Sequence, residues 1–430
     1  MELDDPSLPA VIHLTGPGAR DVVGAAVIAA GGVLHDLRAG HVQYRPGADL
    51  VVRYRADVTW ADGRRSRSET LLAAADRRGR LPGTIPVEAD ADGEPIVASV
   101  WRWPFDPALP GLERAATPGG LDGLTRPVLG GTRGIEVVAY RPTERAVVRI
   151  DGERRTGYVK VLRPDDVDPL VARHHLLADA GLPVPEVLAA SVAEGVVVLA
   201  DAAGTTLRER VKAELPGWPS AAELARLLDA VHELPPPGPS GRASRIADGS
   251  GHAALLARVA PGLEAPLRAL ADRFRAELPA VRARSGATVH GDVHEGQLVV
   301  GPGGAVTGLL DLDDVGAGDP LDDLATLAAH LRFRAQGAEG ADHVRRRLVA
   351  LSDDLRRRAA DRHGREATDV AVAAVLVGLA TGPFRLQRPG WPAAVAATVA
   401  DASVLAGVAA SADEGLLKTA SSEPHAGARA

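Results

Sequence analysis

Short runs rich in valine, leucine and tyrosine, each closed by a polar turn, cover Leu50 to Trp60, Glu69 to Ala74, Glu136 to Tyr140, Arg145 to Ile150 and Gly157 to Leu162. Such runs predict strands. Further strands are expected up to Trp103, at Glu186 to Ser191 and at Val196 to Leu199. Apolar residues recur at helical spacing in Ala19 to Ala30, Asp168 to Ala180 and Ala221 to Leu234, the last stopped by Pro235, Pro236 and Pro237. From Thr206 onward the pattern is helical with one interruption. There Leu298 to Val300 and Val306 to Leu310 flank Gly301, Pro302, Gly303 and Gly304, the signature of a β-hairpin.

One stretch is repeated. Tyr44-Arg45-Pro46 leading to Val51-Val52-Arg53 returns as Tyr140-Arg141-Pro142 leading to Val147-Val148-Arg149, with six of ten positions identical. Both copies run on into an arginine-rich turn and a second strand, so a duplicated hairpin unit is the simplest account. The chain therefore divides into a first unit over residues 1–115, a small sheet with one helix over 116–204, a helical lobe over 205–411, and a polar tail over 412–430 expected to be disordered. Pro104 to Gly120, rich in proline and glycine, reads as the linker between the first two units.

Composition narrows the function classes. Hydrophobic residues make up 46% and charged residues 24%, as in globular proteins that bury ample apolar surface. The net charge of −7 and the lack of a basic run argue against nucleic acid as a partner. Cysteine is absent, which removes disulfides and thiolate chemistry and leaves oxygen or imidazole as metal ligands. The acidic start MELDDPSLPA carries no export signal, and Val370 to Leu379 and Ala393 to Ala409 are broken by polar residues, so a cytoplasmic protein off the membrane is expected.

The densest chemistry lies in His290-Gly291-Asp292-Val293-His294-Glu295-Gly296-Gln297, then Asp311-Leu312-Asp313-Asp314, then Gly318-Asp319-Pro320-Leu321-Asp322-Asp323. Eight acids between Asp292 and Asp323 would repel one another unless cations neutralise them, and hard divalent ions prefer such oxygens. A magnesium site is the natural inference.

This block resembles the catalytic and metal-binding segments of the aminoglycoside phosphotransferase and choline kinase superfamily, in which His-Gly-Asp is followed after four residues by Asn and later by Asp at a strand end. Here Gln297 holds the Asn position, as among actinobacterial maltokinase-like and glucosamine kinase-like proteins. The resemblance implies an α+β, protein-kinase-like two-lobe fold, preceded by an extra N-terminal α/β cap domain. It implies an ATP- and Mg2+-dependent transfer of phosphate to a hydroxyl of a small molecule, a sugar or amino sugar first and an aminoglycoside second. Asp292 would serve the acceptor hydroxyl, and Gln297 and Asp311 would hold magnesium. His290 and Asp323 would brace the loop, and Lys160, alone in the apolar strand Tyr158 to Leu162, would grip the phosphates. Ala200 and Ala202, where Val196 to Leu199 turns toward Gly204, would meet the adenine through their backbone. Glu295 and Asp314 are candidates for contact with the acceptor.

Two departures accompany the resemblance. The helix after Lys160 offers no Glu to pair with it, and Tyr140 to Arg145 lacks the glycines of a phosphate-covering loop. The first unit has no counterpart of Lys160, since Thr70-Leu71 stand there, and is expected to be a cap or a dimerisation unit. Two other readings remain open at this point. His290, Asp292 and His294 could ligate zinc or iron in a hydrolase. A catalytically silent kinase-like nucleotide-binding module would also suit Gln297 and the missing Glu.

Overall fold

A computed structural model describes residues 5–91, 94–238, 244–282, 286–338, 341–386 and 388–408. The expected disordered tail, and Gln387, lie outside these residues.

The chain opens with helices α1 (Ala10–Thr15) and α2 (Ala19–Ala29), followed by strands β1 (Gly32–Arg45), β2 (Asp49–Trp60), β3 (Arg65–Asp76), β4 (Ile85–Ala91) and β5 (Glu94–Arg102). The five strands form one antiparallel sheet in the order β1-β2-β3-β5-β4. Along β2 the side chains of Val52, Tyr54, Ala56 and Val58 share one face and are buried against Val11, Leu14, Val23 and Val27 of the two helices. The same cluster takes in Leu255 and Phe384 from the helical lobe, so the first unit is packed onto it.

Helices α3 (Leu112–Ala115) and α4 (Asp122–Leu129) lead to β6 (Thr132–Arg141), β7 (Arg145–Gly152), β8 (Thr156–Val161), helix α5 (Val167–Asp179), β9 (Val187–Ser191) and β10 (Val196–Ala200). The second sheet runs β6-β7-β8-β10-β9, the strand order of the first. The repeated sequence falls on the first hairpin of each sheet, β1–β2 and β6–β7. Where the second sheet inserts α5 after its third strand, the first has only a turn between Asp76 and Ile85. Pro104 to Gly120 is not a linker: Leu109, Leu112 and Ala115 are buried with Ala146, Val148 and Ile150 beneath the second sheet. Proline and glycine content pointed to open chain, but the apolar residues spaced between them supply a hydrophobic face.

The helical lobe holds β11 (Thr205–Thr206), α6 (Leu207–Lys212), α7 (Ala221–His232), α8 (Gly249–Val259), α9 (Glu264–Arg282), β12 (Ala287–Val289), β13 (Leu298–Val300), β14 (Val306–Leu309), β15 (Gly316–Gly318), α10 (Pro320–Gln336), α11 (Asp342–His363), α12 (Arg365–Arg385) and α13 (Trp391–Leu405). Capping boxes start α6 and α7, Thr206 with Glu209 and Ser220 with Glu223. Helix α12 is apolar enough and, at 21 residues, long enough to cross a membrane, yet 72% of its apolar window is buried inside the lobe. The expected hairpin is β13–β14, and its near end carries Asp311. This is a protein-kinase-like two-lobe fold preceded by an additional sheet.

Candidate active site

Between the second sheet and the helical lobe lies a cavity of about 500 Å³. Its roof includes Val138, Ala139, Val147 and Tyr158 from the sheet, its back Leu199, Ala200 and Ala202, and its inner end Lys160, Gln297 and Asp311. Strand β8 delivers Lys160 with its side chain only 6% exposed. Its Nζ lies 2.6 Å from Asp311 Oδ1 and 2.6 Å from Asp313 Oδ1, so one ammonium bridges two carboxylates.

Arg145, at the start of β7, closes the same cluster from above. Its guanidinium donates to Asp311 Oδ2 at 2.8 Å and to Asp313 Oδ2 at 2.7 Å. Gln297 donates from Nε2 to Asp311 Oδ2 at 3.0 Å, leaving its amide oxygen for another partner. Asp311 has φ 62° and ψ 64°, a left-handed conformation that costs a non-glycine residue energy and is tolerated where function or packing demands it. Burial works against the charge on Lys160, but the two carboxylates outweigh it and hold the ammonium above its ordinary pKa. Burial likewise works against Asp311, and Lys160 with Arg145 outweighs it, holding the carboxyl far below the usual carboxylate range. Asp313 goes the other way, pushed up by burial with Asp311 beside it.

The loop that carries Asp292 is fixed by α10. Asp323, fully buried, accepts from the His290 N–H at 2.8 Å, the Gly291 N–H at 2.9 Å and His232 Nε2 at 3.0 Å. The N-cap of α10 is Asp319, whose Oδ1 accepts from the Leu321 N–H. Asp323 is therefore a brace and not a cap. The His290 ring nitrogen Nε2 meets the Leu310 carbonyl at 2.9 Å and ties the loop to the strand end before Asp311. Asp292 itself is paired with Arg245 at 2.5 Å.

Other expected site residues lie elsewhere. Glu295 and Asp314 do not line the cavity, and neither does Asp292, although its loop neighbours His294, Gly296 and Gln297 do. Glu295 is 1% exposed, with its Oε1 held by Arg208 Nε at 3.0 Å and by Arg334 at 2.8 Å. Burial raises its pKa, yet His330, Arg208, His294 and Arg334 outweigh that and bring it down to about 2. Its position follows from α10, which carries Arg334 and His330 over the loop. Ala200 and Ala202 line the cavity, but the Ala200 N–H is already given to the Glu186 carbonyl at 2.9 Å. Among the described residues, the close grouping of metal-ligating side chains is His294, Glu295 and His330, and not His290, Asp292 and His294. In that grouping two arginines already neutralise the carboxylate, and the His290 and Asp292 side chains have separate partners.

Sequence reasoning missed Arg145 and Arg245. Arg145 had a signal, since it begins the strand after the turn that lacks glycine. Arg245 had none, because its link to Asp292 depends on where α8 places the preceding loop.

The sequence model of the phosphotransferase enzyme family (APH) matches residues 140–360, which takes in the second sheet from the end of β6 onward and every group described at the inner end of the cavity. The chain belongs to the phosphotransferase enzyme family. No curated protein matches it in sequence. Among solved structures, this family member is similar to a thermostable mutant of aminoglycoside phosphotransferase APH(4)-Ia in ternary complex with ADP and hygromycin B, at 16% identity and TM-score 0.43, covering 66% of this chain and 97% of that one. It is also similar to aminoglycoside phosphotransferase APH(3'')-Id from Streptomyces rimosus, at 23% identity and TM-score 0.40, covering 58% and 94%. A choline/ethanolamine kinase family protein from Mesorhizobium loti shares 20% identity at TM-score 0.44, covering 69% and 92%.

Proposed function

We propose that this phosphotransferase uses ATP and magnesium to phosphorylate a hydroxyl of a small molecule, a sugar or amino sugar, with Asp292 receiving the hydroxyl proton. One observation carries the reading: Lys160 and Arg145 meet Asp311 and Asp313 at the closed end of a cavity between the lobes, beside Gln297.

Two cations on two carboxylates make a neutral cluster that can exchange partners. Lys160 and Arg145 can turn to a phosphate chain, which frees Asp311, Asp313 and the Gln297 amide oxygen. Those are hard oxygen donors of the kind magnesium takes, so the residues present fit the ion. Magnesium held there would neutralise charge on the transferring phosphate. The adenine would lie against Leu199, with recognition left to the Ala200 carbonyl and the Ala202 N–H, since the Ala200 N–H is already engaged. Asp292, oriented by its pairing with Arg245, would be the proton acceptor carried by the loop.

The acceptor need not be strongly cationic, because Arg208 and Arg334 already neutralise Glu295. This favours a sugar over an aminoglycoside. The test is ATP consumption by the full chain against sugars, amino sugars, aminoglycosides and amino alcohols, with and without magnesium. Turnover with a sugar or amino sugar is expected. Turnover confined to aminoglycosides makes the chain an antibiotic kinase, and nucleotide binding without turnover on any acceptor makes it a silent module.

A further inference from the structure

We propose that a second cleft, between the N-terminal sheet and the outer face of the β6–β7 hairpin, binds a small organic molecule bearing a phosphate monoester. This cleft has a volume of about 530 Å³ and is lined by Arg38, Gly40, Arg53, Arg55, Trp103 and Tyr140 among others. It lies apart from the nucleotide cavity and shares no lining residue with it.

The strand register is what singles it out. On antiparallel β1 and β2, Arg38 stands directly opposite Arg55, and His41 directly opposite Arg53. Like charges opposite one another destabilise a strand pair, so the Arg38–Arg55 pair weakens the sheet unless an anion sits against it, and Arg53 adds a third guanidinium two residues along β2. Between the pairs β1 bulges at Ala39 to His41, a device that re-aims side chains and recurs beside functional sites. Arg53 and Arg55 are two residues apart and so share a face of β2 with Val51. That is the face on which Val51 packs near Trp101, Trp103 and Tyr140, and it looks toward the second sheet.

Local acids are engaged elsewhere. Asp49 is paired with Arg45, Asp57 with Arg65 and Glu69 with Arg102. Asp106, nearest the aromatic wall, accepts from Tyr140 Oη at 2.7 Å and from the Thr143 N–H at 2.9 Å. Among the described residues, Arg38 pairs with Asp36 in the open solvent. Positive charge is dense enough to be felt by His41, whose pKa burial and then Arg53, Arg385 and Arg141 push down to about 4. Planar guanidinium groups match phosphate oxygens two by two. Trp103 and Tyr140, with ring centroids 4.6 Å apart, offer the apolar wall for an organic body.

Strand β6 supplies Val137 and Tyr140 to this cleft and Val138 and Ala139 to the nucleotide cavity, so a ligand here would lie against the back of the hairpin that roofs the other. The experiment is calorimetric titration of the full chain with glycerol 3-phosphate and with inorganic phosphate, in chloride at constant ionic strength. Saturable binding is expected, tighter for glycerol 3-phosphate, not displaced by AMP-PNP with magnesium, and weaker by more than about tenfold in the Arg53→Gln, Arg55→Gln double variant, since each charge-assisted bond lost is substantial. Thermal unfolding guards against a folding defect: the unliganded double variant should unfold no lower than the parent, and only the parent should gain from the ligand. Absence of saturable binding, an unchanged double variant, or displacement by AMP-PNP overturns the site. Equal affinity for both probes overturns the monoester.

Discussion

Asp292 is paired with Arg245, and Asp311 is held by a lysine, an arginine and an amide, so the two carboxylates make separate predictions. Asp292→Asn keeps the shape and the Arg245 contact but removes the proton acceptor. Turnover should fall by roughly 10²- to 10⁴-fold with nucleotide affinity little changed, as read by steady-state kinetics beside nucleotide titration. Unchanged turnover would take Asp292 out of the reaction. Lys160→Ala leaves Asp311 and Asp313 buried with Arg145 as the remaining cation, beside the Gln297 amide. Breaking such a pair costs about 3–5 kcal/mol, so denaturant unfolding should show that loss together with weaker nucleotide binding. Asp311→Ala should instead abolish magnesium-dependent turnover. Lys160, Gln297 and Asp311 were legible because spacing and one polar residue in an apolar run mark them. Arg145 and Arg245 were not, since arginine is common in this chain and a long side chain finds its partner only through the fold.

Helix α10 shows how an element positions chemistry it does not perform. Its first turns carry Asp319 as the cap, Asp322 under Ser244 and Ile246, and Asp323 under the Asp292 loop. Asp323→Ala removes three hydrogen bonds to a buried carboxylate and leaves two backbone N–H groups without it. A stability loss of at least about 3 kcal/mol is expected, with turnover falling further than nucleotide affinity because the Asp292 loop loses its anchor. Asp323→Asn, which can still accept one of these bonds, should recover part of both, and full activity in the alanine variant would make the brace idle. Strand cores were readable from runs of apolar residues, but β3 reaches Arg65 to Asp76 where Glu69 to Ala74 was expected, because ladder pairing with β2 continues past the apolar run. Pro104 to Gly120 misled for the opposite reason: punctuating residues were read as open chain although Leu109 and Leu112 between them fill a core. The sequence echo pointed to duplication, and only the sheets reveal a common strand order, which no short repeat encodes.

Taken over the whole molecule, buried histidines set how stability responds to acid. Burial above all pushes His41, His174 and His294 down to about 4 and His330 to about 3, from 6.5. Arg53, Arg385 and Arg141 add to it at His41, whereas the Pro185 carbonyl at His174, and Asp292 and Glu295 at His294, oppose it in part. A histidine so depressed is neutral in the fold and takes a proton more readily when unfolded. Its contribution is complete above about pH 6.5 and is lost as pH falls toward the folded value. Each contributes a slope of at most about 1.4 kcal/mol per pH unit across that window. Asp322 runs the other way: burial raises it to about 6, so it favours the fold at low pH and that contribution is lost as pH rises through about 6. Four histidines outweigh one aspartate, so the unfolding free energy should fall steeply between pH 6.5 and 4.5, as measured by denaturant titration at fixed salt. His330→Leu should make the fall shallower and Asp322→Asn should make it steeper. A curve that rises on acidification would mean that the histidines are charged in the folded chain, and a neutral stack of His294 on His330 would then be wrong.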